Sequence, residues 1–589
     1  MKTLLIHPED TPLQGPWANQ RWDLIVDLGK SSAFTTDRWS VQCGCPVLRL
    51  DHFRKEISDV QLIKRLFSGG CGFLVDRYGL DWWYLTSINI APEAETILAL
   101  RRLCSELNSA GELWTTRPGW PGTALGALIG RPISHYAASR FDRFSARVAH
   151  YSTLARRFSP ARLREIAFDK YDADYRLRSR MVHRPAPLRS SVVLLPSAYV
   201  NVSRMAADYA RLLPQQKFLL VATRRSATLF EPPPNVEVRH LSSYATAATP
   251  AETGSILQSW RKLQASLLDS PEFRALHDSG MLDGFPHWLK TGLSVRDAWM
   301  RVLEAEPVCS VLCGDDSNSY TRLPMLLAAR RRLPTLDFHH GAFDGRYLMK
   351  NLDCDLYLAK SEMEHDYLTR VCGLPRERLV LAAPGRSLAV KQTDRKGADL
   401  IVLFSEPYEN VGARVREVYA ELLPRLAALA RQRGCGVIVK LHPFENFEDR
   451  SSILRSVVPT EDQSLFSITD GPLTASLLAR AWFGVTVEST TAIDCVLNHV
   501  PCFLCEWLAN SSYGYLQQYA RFGLGYILKS ADEIENIPSL LALVEAQPAQ
   551  QSFWSPSDPE QLAAWLTASR PVSDSTVNSL GFQGPCEGG

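Results

Sequence analysis

Five short stretches of this chain carry side chains that could do chemistry, and each follows an apolar run. His442-Pro443 closes VIVKL (437–441), and Glu488-Ser489-Thr490-Thr491 separates FGVTV (483–487) from an apolar stretch beginning at Ala492. Asp315-Asp316, His339-His340-Gly341 and Ser405-Glu406-Pro407 stand in the same relation to 308–312, 335–338 and 400–404. A Ser/Thr-rich turn that opens a helix offers hydroxyls and backbone N–H groups to a phosphate. An imidazole beside such hydroxyls can stabilise the charge that grows on a departing phosphate. An acidic pair or a histidine can take the proton of an attacking hydroxyl. Each has a plainer reading: His442 as a strand-end histidine bonded to a carbonyl, Asp315-Asp316 as an Asx turn with a helix cap, and Glu488 as a first-turn cap rather than a ribose ligand.

Positioning these groups requires strands that end together. The apolar runs alternate with helical patterns at 203–213, 253–268, 295–304, 322–331 and 412–432, which predicts parallel, doubly wound sheets. Open sheets of that kind bind ligands beyond the carboxyl ends of their strands. At 589 residues the chain is too long for one core. The expected organisation is a small α/β unit over 1–183 whose helical end (141–181) is rich in arginine, Rossmann-like halves over 190–390 and 396–550, and a terminal helix with a disordered tail over 551–589. Arg184-Pro185-Ala186-Pro187 reads as the linker before the first half. The arginine-rich segment is either a solvated helical face or a docking surface for anionic lipid.

With the strand-end groups in place, the second and third regions resemble a GT-B glycosyltransferase, two Rossmann-like domains facing across a cleft. They are most similar to the bacterial capsule and surface-polysaccharide group: Kdo transferases, HP-motif sialyltransferases and CDP-glycerol glycerophosphotransferases. The HG, HP and Ser/Thr elements of that group stand here as His340-Gly341, His442-Pro443 and Ser489-Thr490, and 353–385 resembles the end of the first domain there and in UDP-GlcNAc 2-epimerases. The resemblance covers roughly 300 residues. It implies donor binding by His442, Pro443, Glu488, Ser489, Thr490 and Thr491, and a base among Asp315, Asp316 and His340. It also implies acceptor or phosphate contacts at Gly341, Ser405 and Glu406, with Asp344 and Arg346 as further contacts. Catalysis without a metal or other cofactor is implied as well, the nucleotide sugar being a substrate. Two departures stand out: Ser317 replaces the glycine that follows the acidic pair in sialyltransferases, and HHGAF replaces the H-x-E-A-G pattern of epimerases.

Bulk properties narrow the partners. A formal charge of +2 gives no reason to expect nucleic acid. Thirteen cysteines without repeated spacing fit a reducing cytoplasm, and Cys502 and Cys505 sit in an apolar strand as small hydrophobes. MKTLLIHPED starts as a strand rather than a signal peptide, and no run nears the roughly twenty apolar residues of a membrane span. The expectation is an inverting transferase of surface polysaccharide synthesis, cytoplasmic or peripheral on the inner membrane face. It would use a nucleotide sugar, CMP-linked by resemblance, and a glycan or lipid-linked acceptor. The alternatives are a CDP-linked polyol-phosphate transferase and a non-catalytic nucleotide-binding subunit of an assembly machine.

Overall fold

The computed structural model describes residues 1–7, 10, 15–29, 33–54, 59, 62–63, 72–107, 111–117, 120–136, 185–245, 249–314, 316, 319–341, 352–384, 398–406, 412–443, 445–509, 514–544 and 555–568. The expectations for the arginine-rich segment, Asp315, Asp344, Arg346, Pro407 and the tail beyond 568 lie outside the described residues.

Three all-parallel sheets follow one another along the chain. The first holds β1 (Lys2–Ile6), β2 (Leu24–Asp27), β3 (Val47–Arg49), β4 (Glu112–Thr115) and β5 (Ser134–His135). The second holds β6 (Val192–Ser197), β7 (Lys217–Ala222), β8 (Val236–His240), β9 (Val308–Cys313), β10 (Thr335–Asp337), β11 (Leu356–Ala359) and β12 (Leu379–Leu381). The third holds β13 (Leu400–Phe404), β14 (Gly436–Lys440), β15 (Phe466–Thr469), β16 (Ala481–Thr486), β17 (Cys502–Cys505) and β18 (Tyr526–Leu528).

Each sheet is wound the same way: third, second, first, then fourth strand onward, giving β3-β2-β1-β4-β5, β8-β7-β6-β9-β10-β11-β12 and β15-β14-β13-β16-β17-β18. This is the doubly wound order, and the reversal between first and fourth strands opens a crevice at their carboxyl ends. Helices cover both faces of the central strands, so β6 and β13 are buried along their whole length and read as unbroken apolar runs. Gly484 lets β16 close on β13, because a Cβ there would stand 2.9 Å from the Phe404 ring.

The amino-terminal unit holds elements that its sequence does not announce. Its fourth and fifth strands are four and two residues long, too short to register as apolar runs, and the helix Trp82–Leu107 has 26 residues. The unit docks on the helix Phe285–Ala305 of the second. Trp82 fits where Gly292 has no side chain, since a Cβ there would lie 2.3 Å from Trp82 Cζ3. At the other end the chain returns to the second sheet. Ala383 exchanges backbone hydrogen bonds with Ser555 (2.7 Å) and Ser557 (2.8 Å), and Leu562 and Leu566 of the helix Pro559–Thr567 pack with Val193, Leu312 and Leu336.

Candidate functional site

The third sheet brings most of the sequence-nominated groups together. β14, β13 and β16 are neighbours, so His442, Ser405-Glu406 and Glu488-Ser489 emerge side by side at its crevice. Two strand spacings, about 10 Å, separate the His442 end from the Ser489 end. Pro443 is exposed, while His442, Glu488, Ser489, Thr490 and Thr491 are half-buried and so accessible from the crevice.

Two carboxylates, Glu445 buried and Glu406 half-buried, hold this edge in shape. Glu406 Oε1 accepts hydrogen bonds from the Thr486 hydroxyl (2.7 Å) and from the Val487 and Glu488 amides (3.0 Å each), which fixes the exit of β16. Glu445 accepts from the His442 amide (2.8 Å), the Ser405 hydroxyl (2.9 Å) and Arg450 Nε (2.6 Å), which fixes the exit of β14. Ser405 also meets the Tyr419 hydroxyl at 2.9 Å. Of the residues nominated for acceptor or phosphate contact, Ser405 is buried, and Glu406, half-buried, uses Oε1 to hold its neighbours. Sequence reasoning missed Glu445, although a carboxylate three residues beyond His442 is at the spacing at which a side chain reaches back to a backbone N–H.

The Ser/Thr turn is open. Ser489 Oγ accepts from the Thr491 amide (3.3 Å), and Thr490, at the start of the helix Thr491–Leu497, makes no capping bond with its side chain. Thr491 Oγ1 is buried without a hydrogen-bond partner among the described residues. A buried hydroxyl left so is rare.

The electrostatics favour a neutral histidine beside a weakened cation. Burial and, secondarily, the Lys440 charge hold His442 down to about 4, so its imidazole is neutral at pH 7 and offers an N–H rather than a positive charge. Burial lowers Lys440, whose Nζ donates to the Leu441 carbonyl (2.6 Å); Asp470 and Glu445 oppose that shift and Arg204 adds to it. Arg204 belongs to the helix Val200–Leu212 that follows β6, so the carboxyl edges of the second and third sheets lie within electrostatic reach of each other.

On the second sheet, β9 and β10 are neighbours and place Asp316 beside His340. His340 Nδ1 lies 3.3 Å from the Gly314 carbonyl. Donation there leaves the lone pair on Nε2, the form a base requires. Asp316 is buried and its charge acts on the Arg322 guanidinium. Lys360 supports the HHG turn: its Nζ donates to the His339 carbonyl (2.6 Å) and pairs with Glu364 (2.6 Å) inside the protein. The i,i+4 spacing of Lys360 and Glu364 was the sequence signal for that strut. Asp353 and Asp355, which have the spacing of a metal element, are used structurally: Asp353 pairs with Arg322, and Asp355 accepts from the Thr335 amide (2.9 Å) and hydroxyl (3.0 Å). Cys502 and Cys505 are buried and free in β17.

No family model and no curated protein matches this chain. Several solved structures are similar to part of this chain. A putative UDP-N-acetylglucosamine 2-epimerase from Listeria monocytogenes is 10% identical over 66% of this chain and 96% of its own, with a TM-score of 0.40. CalG4, the calicheamicin glycosyltransferase, is 13% identical over 65% and 100%, with a TM-score of 0.40. MurG of Acinetobacter baumannii is 13% identical over 64% and 99%, with a TM-score of 0.35. The fold itself is read from the sheet orders: α/β, with two doubly wound Rossmann-like units and a five-stranded unit of the same winding before them.

Proposed function

We propose that this chain is a nucleotide-sugar-dependent glycosyltransferase whose donor lies on the carboxyl edge of the third sheet. The observation that carries this reading is the pair of inward-bonded carboxylates, Glu406 and Glu445. They spend their acceptors on holding the Ser489-Thr490-Thr491 turn and the His442 strand end at one crevice, with the Thr491 hydroxyl left unpartnered. A doubly wound sheet binds phosphorylated ligands at that crevice.

In this reading the hydroxyls of Ser489, Thr490 and Thr491 and the N–H of neutral His442 bind the donor phosphate. They stabilise the negative charge that develops there as the bond from the anomeric carbon to the phosphate oxygen breaks. The acceptor hydroxyl oxygen attacks the anomeric carbon from the opposite face, giving inversion, and its proton passes to Nε2 of His340. The phosphate oxygen keeps the electron pair of the broken bond. Gly341 leaves the backbone close to that histidine for the acceptor to approach, and Asp316 with Arg322 sets the local charge. A cytidine nucleotide and a glycan or lipid-linked acceptor of a surface polysaccharide are the finer reading, supported by the HG, HP and Ser/Thr elements of the sequence.

A thermal-shift panel of CMP, CDP, UDP, GDP and TDP on the full chain and on His442→Ala tests this. A bound nucleotide raises the melting temperature by mass action, by an equivalent of about 2.7 kcal/mol at a hundredfold excess over Kd. The expected result is stabilisation by a cytidine nucleotide that His442→Ala loses. A response to UDP alone would reassign the base, and silence towards all five would remove the donor site.

A further inference from the structure

The first sheet repeats the winding of the other two, and it has a cavity of its own. The cavity measures about 320 Å³ and lies where Thr115 ends β4 and His135 ends β5, against the helix Gly122–Ile129. That volume sits at the small end of ligand pockets, on the scale of one sugar ring with its substituents rather than a nucleotide sugar. Its far rim is Asp278, the last residue of the helix Pro271–Asp278, so the cavity straddles the seam between the amino-terminal and second units. Domain seams and the carboxyl ends of parallel strands are both favoured places for small-molecule sites.

Its lining is specialised. Arg131 directs Nη2 to the Leu107 carbonyl at 3.3 Å, while its Nε is buried with no hydrogen-bond partner among the described residues. The guanidinium has further N–H donors that an acceptor on a ligand in the cavity can engage. Thr115, itself buried, donates to the Arg117 carbonyl at 2.9 Å and faces His7 Nε2 at 3.4 Å, and Thr123 adds an exposed hydroxyl. Gly122 keeps the near wall at backbone height: a Cβ there would stand 3.7 Å from Thr115 Oγ1. A guanidinium donor calls for an anionic group, whereas the Thr115 and Thr123 hydroxyls and the Asp278 carboxylate suit the hydroxyls of a polyol.

We propose that this cavity is a second ligand site, separate from the inter-unit crevice, and that it binds a small polyhydroxylated anion with its charged group at Arg131. The anion is a sugar carboxylate or a sugar phosphate. The site belongs to the amino-terminal unit and does not depend on the transferase reading.

Calorimetric titration of the full chain with glucose 6-phosphate, glucuronate and glucose tests this. At least one charged probe is expected to bind about tenfold or more tightly than glucose, and the one that does tells phosphate from carboxylate. Arg131→Gln is expected to erase that preference. Ala127→Phe, on the exposed side of the helix, fills the cavity without touching the core and is expected to abolish binding, while His442→Ala leaves it intact. The proposal is overturned if neither charged probe outcompetes glucose, or if both cavity variants bind as the parent does. Binding lost in His442→Ala but kept in Arg131→Gln would assign the ligand to the crevice and also overturn it.

Discussion

The two seams of this molecule are made of different materials. Between the amino-terminal and second units the contact is charged and centred on a buried arginine. Arg296, fully buried, reaches Asp76 (2.8 Å), Glu252 (2.7 Å) and Asp297 (2.6 Å), and its guanidinium lies over the Tyr78 ring at 4.8 Å. Arg77 crosses the same seam to Asp297 at 3.0 Å, and Trp83 packs among Trp260, Phe273 and Phe285. Between the second and third units the Tyr367 and Tyr515 rings meet edge to face at 5.0 Å, and the ion pair that crosses, Arg521 with Asp366, is half exposed. A buried ion network cannot be separated without stranding charge, whereas an exposed pair exchanges its partner for water at little cost. The difference teaches where separation strands charge: parting the first two units would leave buried ions unpaired, whereas parting the second and third would expose the apolar core around Tyr367 and Tyr515.

Breaking the first seam is expected to give the largest effect. Arg296→Met leaves the carboxylates of Asp76 and Asp297 buried without their main counter-ion. Stranding a buried charge in this way costs about 3–5 kcal/mol. Urea denaturation should show that loss, and a change below about 1 kcal/mol would mean that the network is ornamental and the seam is held by its aromatics.

The crevice comes next. Glu406→Ala strips the acceptor from three donors and is expected to cost about 2–3 kcal/mol, with nucleotide binding weakened in parallel because the Ser/Thr turn loses its tether. Glu406→Gln keeps an acceptor and adds a pH test. Burial raises the Glu406 carboxyl, helped by the Glu445 charge and opposed by the hydrogen bonds from Thr486, Glu488 and Val487. A carboxyl raised in the folded state favours folding below its ordinary range and loses that contribution as pH rises through the folded value. The parent should therefore fall in stability relative to Glu406→Gln as pH climbs from about 4, read from urea midpoints; parallel curves would refute a raised carboxyl.

His442 carries the opposite sign. Held to about 4 from an ordinary 6.5, it stays neutral in the fold where the unfolded chain has taken up a proton. Its contribution is complete above 6.5 and is lost as pH falls from 6.5 towards 4. His442→Gln should flatten the stability profile over that window by roughly 2 kcal/mol, a figure reduced because the ring is half-buried. An unchanged slope would place the proton elsewhere.

These groups differ in how far the sequence exposed them. Central strands such as β6, β13 and β16 were legible because burial on both faces favours apolar runs, and a motif such as His442-Pro443 marks its own strand end. Glu406 and Glu445 were visible as carboxylates, but their partners are backbone amides and hydroxyls that a fold must first assemble. Their inward aim was therefore not readable. The amino-terminal unit was read least fully for a related reason: β4 and β5 are held by neighbours rather than by their own length. The Asp76–Arg296 pair joins residues 220 apart, a juxtaposition that no local spacing encodes.

The smallest effect sharpens the comparison most. Arg521→Ala removes the ion pair across the second seam, yet Asp366 keeps Arg370 at 3.3 Å, so no charge is stranded. Stability is expected to fall by only about 0.2–1 kcal/mol. If the pair biases a closed arrangement of the crevice, the same variant should weaken nucleotide binding by up to about fivefold, since a ligand that needs the closed form is penalised by the fraction lost. Raising salt should reproduce that weakening in the parent and leave the variant unmoved, because an exposed pair is screened over roughly 8–10 Å. A stability loss approaching that of Arg296→Met would instead make both seams rigid. Closure would then have to come from within the third unit, where the helix Tyr515–Arg521 packs beside β18.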